Sequence, residues 1–241
     1  MQRSDSFVLG ALLSFSGGLQ DAYTFNIRDR VFANAQTGNV VLMGQNFLLG
    51  NWDQGIDYMF PVISFVAGVF LSEFIESRYK YNKKMHWRQI VLLFEFLLLF
   101  MVGLLPLEYE RIANMTVSFA CAMQVQAFRR LRANNYASTM VIGNLKNGTH
   151  YMARFLRSKT PQYLIYSLQY YTIIVIFAIG AGVGGVLSRR LGIRTIWICC
   201  GIILIAGLIM IKVESLNFSY LKRFPVLHEK LTKTTEKGDT K

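Results

Sequence analysis

The densest polar chemistry in the sequence sits in eight residues, Phe32-Ala33-Asn34-Ala35-Gln36-Thr37-Gly38-Asn39. Asn34, Gln36, Thr37 and Asn39 supply donors and acceptors without net charge, and Gly38 permits unusual backbone dihedrals. In a lipid-embedded chain such a set caps carbonyls freed by a broken helix, replaces the hydration of a small solute, or does both. The competing reading is that these amides are hydrogen bonds between packed spans, each worth about 0.6 kcal/mol. A thinner counterpart, Ile142-Gly143-Asn144, recurs at an offset of 105 residues from Thr37-Gly38-Asn39, and Gln126-Ala127-Phe128 recurs at the same offset from Asp21-Ala22-Tyr23.

Asp21 is the foremost single residue. Gly10, Ser14, Gly17 and Gly18 precede it at i−11, i−7, i−4 and i−3, a helical face of small residues that lets another helix approach. Asp21 therefore faces protein or a cavity, because a carboxylate facing lipid costs about 2.5 to 3.5 kcal/mol on insertion scales. It is either a cation or proton site, or a partner for Arg28, Arg30 or a second-half amide. Glu95, within Leu92-Leu93-Phe94-Glu95-Phe96-Leu97, is the second coupling candidate; its alternative is to snorkel toward a basic joint, since it lies about 9 Å along a helix from Gln89. Glu73 and Glu76 are expected to pair with Arg78 or Lys80. Asp21, Tyr23, Asn34, Gln36, Thr37, Gly38, Asn39, Gln126, Gly143 and Asn144 make up the expected solute-binding set.

No enzyme is expected. The sequence has no GxSxG, HExxH, Walker or Rossmann pattern, and His86, His150 and His228 lie in joints or the tail. Cys121, Cys199 and Cys200 fall inside apolar runs without zinc-type spacing and read as small core residues. No cofactor and no metal are expected.

The elements that must hold these residues follow from hydropathy. The 241 residues are 53% hydrophobic and only 17% charged, with a mean hydropathy of +0.32, against about 25% charged in globular chains. Six runs reach the roughly 20 residues needed to cross a hydrocarbon core: Phe7 to Thr24, Tyr58 to Ile75, Gln89 to Leu107, Ile112 to Phe128, Leu164 to Leu187 and Ile193 to Ile211. The first lacks the basic n-region and cleavage site of a signal peptide. Val31 to Leu49 and Tyr136 to Met152 are polar and Gly-containing, and are either re-entrant or additional spans.

The net charge of +12 falls in the joints, as the positive-inside bias demands, rather than on a basic face for nucleic acid. Arg78 to Arg88 and Arg129 to Lys159 carry no acid and should be cytoplasmic, whereas Asn51 to Asp57 and Glu108 to Arg111 carry most of their charge as acid and should be external. Six spans place both termini inside, with Arg189, Arg190 and Arg194 outside against the rule. A seventh crossing at Val31 to Leu49 would move only the N terminus outside. Arg129, Arg130 and Arg132 are explained by topology, with recognition of an anionic headgroup or solute as the alternative.

Gly17-Gly18 with Asp21-Ala22-Tyr23, the octapeptide, and Gln126-Ala127-Phe128 followed by Thr139 and Gly143-Asn144 resemble the YoaK-like multi-spanning bacterial membrane proteins, grouped as a domain of unknown function. The resemblance covers nearly the whole chain short of the tail and implies a multi-pass protein of the bacterial cytoplasmic (inner) membrane; it implies no activity. Family members generally carry Thr-Gly where this chain has Ile142-Gly143.

The expected fold is thus an all-α polytopic membrane protein of about six spans plus two polar motif segments. Its two repeats, 1–107 and 108–220, are inverted if each half crosses three times, and a basic cytoplasmic tail occupies 221–241. The expected function is transport or conduction of a small solute at a midplane site between the two Gly-Asn motifs. The alternative is a membrane interaction or scaffold protein, homo-oligomeric through the glycine-rich run at Gly180 to Gly185. The lipid bilayer is the expected partner, with a small molecule or ion as substrate.

Overall fold

The computed structural model describes residues 6–80, 86–131, 134–136 and 138–223. Its α-helices are α1 (Phe7–Ile27), α2 (Gln36–Leu48), α3 (Trp52–Tyr79), α4 (Trp87–Val102), α5 (Glu110–Ala127), α6 (Val141–Ser158), α7 (Pro161–Leu191) and α8 (Ile196–Arg223). A short antiparallel pairing of Arg130–Leu131 with Asn134–Asn135 follows α5. The fold is all-helical, as expected. The six apolar runs lie in α1, α3, α4, α5, α7 and α8; the two polar stretches contain α2 and α6. Arg132, His228 and the tail beyond 223 lie outside the described residues.

Apolar side chains fill the interior, among them Leu13, Leu19, Val91, Leu99 and Val117, and large ones also line the outside. Ile63, Val66, Phe70 and Phe74 form an exposed stripe along α3 at helical spacing, and Val175, Ile179, Leu204 and Leu208 are exposed on α7 and α8. Inside, Ser14, Gln20, Asn39, Glu95 and Gln124 are fully buried. Two helical stretches, Trp52–Tyr79 and Pro161–Met210, are long and apolar enough to cross a membrane.

Small residues bring the helices together in parallel pairs. Gly180 of α7 lies against the Phe15 carbonyl of α1, and Gly184 lies against Leu19, so a side chain at either position would meet backbone. Gly68 of α3 does the same against the Phe119 carbonyl of α5, and one turn on the Ser72 hydroxyl donates to the Met123 carbonyl at 3.1 Å. Ion pairs hold both ends of the second pair: Asp57 with Arg111 at 2.6 Å, and Glu76 with Arg129 at 3.2 Å. The Gly180–Gly184 spacing thus serves a crossing within one chain. Arg129 takes the place expected for Arg78 as a partner of Glu76, with Lys80 at 3.4 Å as the other.

α4 runs in the direction of α1, with Glu95 beside Gln20 and Val102 beside Arg28. α8 runs against α4, its Trp197 indole donating to the Phe100 carbonyl at 3.2 Å while Cys200 lies at Phe96. α1, α4 and α7 therefore point one way, and α3, α5 and α8 the other.

The two polar stretches turn back. After α1, Asp29 and Arg30 both take left-handed φ, 57° and 55°, which reverses the chain; aspartate tolerates this region far better than arginine. Non-helical backbone then retraces α1 to its midpoint, where Asn34 reaches the Gly17 carbonyl, and α2 climbs back to the end where α3 starts, bringing the Phe47 ring to Trp52. From the opposite end, the chain after α5 brings Tyr136 to the Gly10 carbonyl and Thr139 to Gly17. α6 then returns beside α7, with Ser167 donating to Gly148 and Arg154 to the Tyr163 hydroxyl. The expected break at Thr37-Gly38-Asn39 is displaced upstream: those residues form the first turn of α2, and neither Gly38 nor Gly143 has a positive φ.

Candidate functional site

Non-helical backbone in the interior must find a partner for every peptide group, and the octapeptide supplies most of them itself. Phe32 N–H donates to Asn39 Oδ1 at 3.3 Å and its carbonyl accepts from Asn39 Nδ2 at 2.7 Å. Ala33 N–H donates to Thr24 Oγ1, while its carbonyl accepts from the Ser118 hydroxyl at 2.8 Å and from Gln36 Nε2 at 2.7 Å. Asn34 N–H donates to Asp21 Oδ1 at 2.8 Å. Asp21 is thus the acceptor for a backbone amide of its own half, rather than the partner of Arg28 or Arg30.

Arg28, fully buried, is occupied elsewhere. Its Nε donates to the Tyr23 hydroxyl at 2.9 Å, and its two terminal nitrogens donate to the carbonyls of Val102, Leu105 and Pro106 at 2.7 to 3.0 Å. The Val102 carbonyl ends α4 and those of Leu105 and Pro106 follow in the loop, so the guanidinium caps the helix C-terminus and ties down its exit, in the polarity the helix dipole favours.

From this scaffold a polar strip crosses the core. On α1, Gln20 Nε2 donates to Ser16 Oγ at 3.2 Å and to Glu95 Oε1 of α4 at 3.4 Å. Glu95 is fully buried and does not snorkel. Next along the strip, Asn34 Nδ2 donates to the Gly17 carbonyl at 2.9 Å. Thr139 packs against that glycine so tightly that a Cβ there would collide with its methyl, and Thr139 also lies 4.0 Å from Cys121 Sγ. Ser138 accepts from Gln124 Nε2 of α5 at 2.8 Å. The two returning segments therefore meet at Gly17, through Asn34 from one end and Thr139 from the other.

The expected residues divide accordingly. Asp21, Asn34 and Gln36 are at the meeting point or bonded to it, and Gln36 also donates to Ser118 at 2.6 Å. Tyr23 and Asn39 are buried and serve the scaffold, while Asn144 is buried in α6. Thr37 is exposed. Gly143 has open space where a side chain would stand. Gln126 turns outward to Glu73 of α3. Gln20, Gln124, Ser118 and Thr139 form part of the site, and none of the four belongs to the expected solute-binding set. An amide isolated inside a membrane-length apolar run is the signal that points to Gln20 and Gln124.

At the end where α1 reverses, a polar pocket of about 620 Å³ is lined by Phe25, Asn26, Ile27, Asp29, Arg30 and Glu110. Burial, and the Asp29 carboxylate nearby, raise Glu110 above the ordinary carboxylate value, with Arg28 pulling the other way. No group of metal-ligating side chains occurs among the described residues, and Cys121, Cys199 and Cys200 are free and buried.

No curated protein and no solved structure matches the chain. A family model does match, over residues 9–209, from within α1 nearly to the end of the described part of the core, and so takes in both returning segments and every residue of the polar strip; the chain belongs to the family described as protein of unknown function, DUF1275.

Proposed function

We propose that the protein is a multi-pass transporter or channel of the cytoplasmic membrane, moving a small solute through a site near the bilayer midplane. α1, α3, α4, α5, α7 and α8 would be its six spans, with α2 and α6 re-entrant. Alternating helix direction and the apolar outer stripes support that topology. Two inverted halves are supported by the exchange of partners between them. α1 packs along α7 and α5 along α3, and Asn39 and Asn144 are each the fourth residue of the helix leaving a returning segment.

The observation that carries the reading is the convergence of two broken segments, from opposite ends, on Gly17. Interrupted elements meeting at mid-depth are the way transporters expose backbone and side-chain polar groups to a solute without exposing them to lipid. Asp21 and Glu95 would couple solute movement to a cation or proton.

The scaffold reading has its own support, since Asn39, Gln36 and Asp21 all serve the protein's own backbone. Purified protein in liposomes separates the two. Stopped-flow light scattering with a panel of small neutral and charged solutes should give protein-dependent flux that Asp21→Asn reduces. Wild-type protein that leaves every solute at the protein-free rate would favour the scaffold.

A further inference from the structure

The polar strip is unbalanced in one direction. Gln20, Asn34 and Gln124 each spend their amide N–H groups on protein acceptors, and each keeps an amide oxygen with no hydrogen-bond partner: Gln20 Oε1, Asn34 Oδ1 and Gln124 Oε1. Glu95 likewise accepts at Oε1 and has nothing at Oε2. All four side chains are more than nine-tenths buried. Their orientation is fixed where the acceptor leaves no choice. Asn34 Nδ2 points at a backbone carbonyl, a group that only accepts, and Gln20 Nε2 points at the Glu95 carboxyl, which only accepts when ionised, the form a bound cation favours.

Buried acceptors without donors are costly, and a consistent excess of one kind defines what would satisfy it. An anion or a carbonyl-bearing solute would add more acceptors. Arg28, the buried guanidinium at the C-terminal end of α1, is already bonded to a hydroxyl and three carbonyls, so it offers little to an anion. The unpartnered atoms are all oxygens, with one or two carboxylates among their side chains, and the nearby thiols of Cys121 and Cys199 are turned to Thr139 and the Ser16 carbonyl; such an oxygen set suits a hard cation or an ammonium group.

On this basis we infer that the strip formed by Gln20, Asp21, Asn34, Glu95 and Gln124 binds a small monovalent cation, an alkali-metal ion or a protonated amine. The inference rests on the transport reading only for its biological use; the binding itself does not require flux. Gln20 and Gln124 contribute amide oxygens from α1 and α5, Asn34 contributes one from the first returning segment, and Glu95 supplies charge from α4.

The test uses the full-length protein in detergent, with unfolding midpoints followed by tryptophan fluorescence at fixed ionic strength. Sodium, potassium, ammonium and methylammonium chlorides are compared with N-methylglucamine chloride, and chloride, nitrate and formate are compared as N-methylglucamine salts. At least one small cation should raise the midpoint with a saturable dependence, and the anions should leave it unchanged. Alkali-metal and amine arms distinguish the two sources. Glu95→Gln should abolish the cation-dependent shift; Asp21→Asn, which keeps an acceptor for Asn34 N–H, should need a roughly tenfold higher cation concentration, as removal of ligand charge does at oxygen sites. A shift by anions alone, a response to pH with none to cations, or a cation shift unchanged in both variants overturns the inference. Binding without vesicle flux would remove the transport reading and leave this site standing; flux of an anion, with no cation shift, would do the reverse.

Discussion

Gln20 and Glu95 face each other from α1 and α4 with neither side chain exposed, Nε2 of the first lying 3.4 Å from Oε1 of the second. The pair joins residues 75 positions apart in the chain, and it gives the buried carboxyl its one hydrogen-bond donor among the described residues.

Gln20→Leu removes that donor and should destabilise the protein by about 1 to 3 kcal/mol, the usual cost of stranding a buried acceptor. Glu95→Gln keeps a neutral hydrogen-bonding group in the same space, so its loss of stability should be the smaller of the two. Thermal unfolding of both variants in one detergent decides it; equal losses would mean that the contact contributes only packing.

The meeting of the two returning segments depends on space at Gly17. Gly17→Ala places a methyl against Thr139 and should cost about 1 to 3 kcal/mol, in the range of overpacked cores. Thr139→Ser removes the opposing methyl, so the double variant should recover a large part of the loss, with a coupling of about 0.5 to 3 kcal/mol. Additive losses in an unfolding double-mutant cycle would separate the two segments.

Topology is open to direct labelling. With Cys121, Cys199 and Cys200 replaced by alanine, a single cysteine at Gln54, beside the start of α3, should react in intact cells with an impermeant thiol reagent. One at Ser158, the end of α6 in the basic joint, should react only after permeabilisation. Labelling of Ser158 alone would invert the arrangement, and equal labelling of both in intact cells would contradict re-entrance.

At the polar pocket, Glu110 has its proton affinity raised above that of the unfolded chain by burial and by Asp29. The folded state therefore holds this proton more tightly. The contribution of Glu110 to stability should rise as pH falls from neutral through the raised value to the ordinary value of 4.5. Glu110→Gln should be more stable than wild type at neutral pH, and the difference should vanish toward acid. A difference independent of pH would show that charge at this position is immaterial.

The six apolar runs and the two polar stretches were legible as helices because length and apolar composition are read directly from the sequence; of the elements that hold them, Trp52–Tyr79 and Pro161–Met210 are long and apolar enough to cross a membrane. The interest of Asp21 and Glu95 was legible for the same reason, a charge in an apolar run being rare enough to notice. Their partners were not. Asp21 accepts from Asn34 N–H, a backbone group identical at every non-proline position, so no residue type announced it. Glu95 finds Gln20 only because α1 and α4 lie side by side.

The octapeptide announced a break but misplaced it. Gly38 drew attention as the flexible residue, yet the reversal falls at Asp29 and Arg30; backbone N–H groups donating to Thr24, Asp21 and Asn39, and carbonyls accepting from Asn39 and Ser118, hold the returning segment where local propensity would not. The sequence by itself determined which segments are apolar and helical and which polar residues are out of place among them, since those are properties of composition and spacing. Only the tertiary structure decided which polar atoms satisfy one another and which, at Gln20, Asn34, Glu95 and Gln124, are left as acceptors, because that balance depends on donors brought from distant parts of the chain.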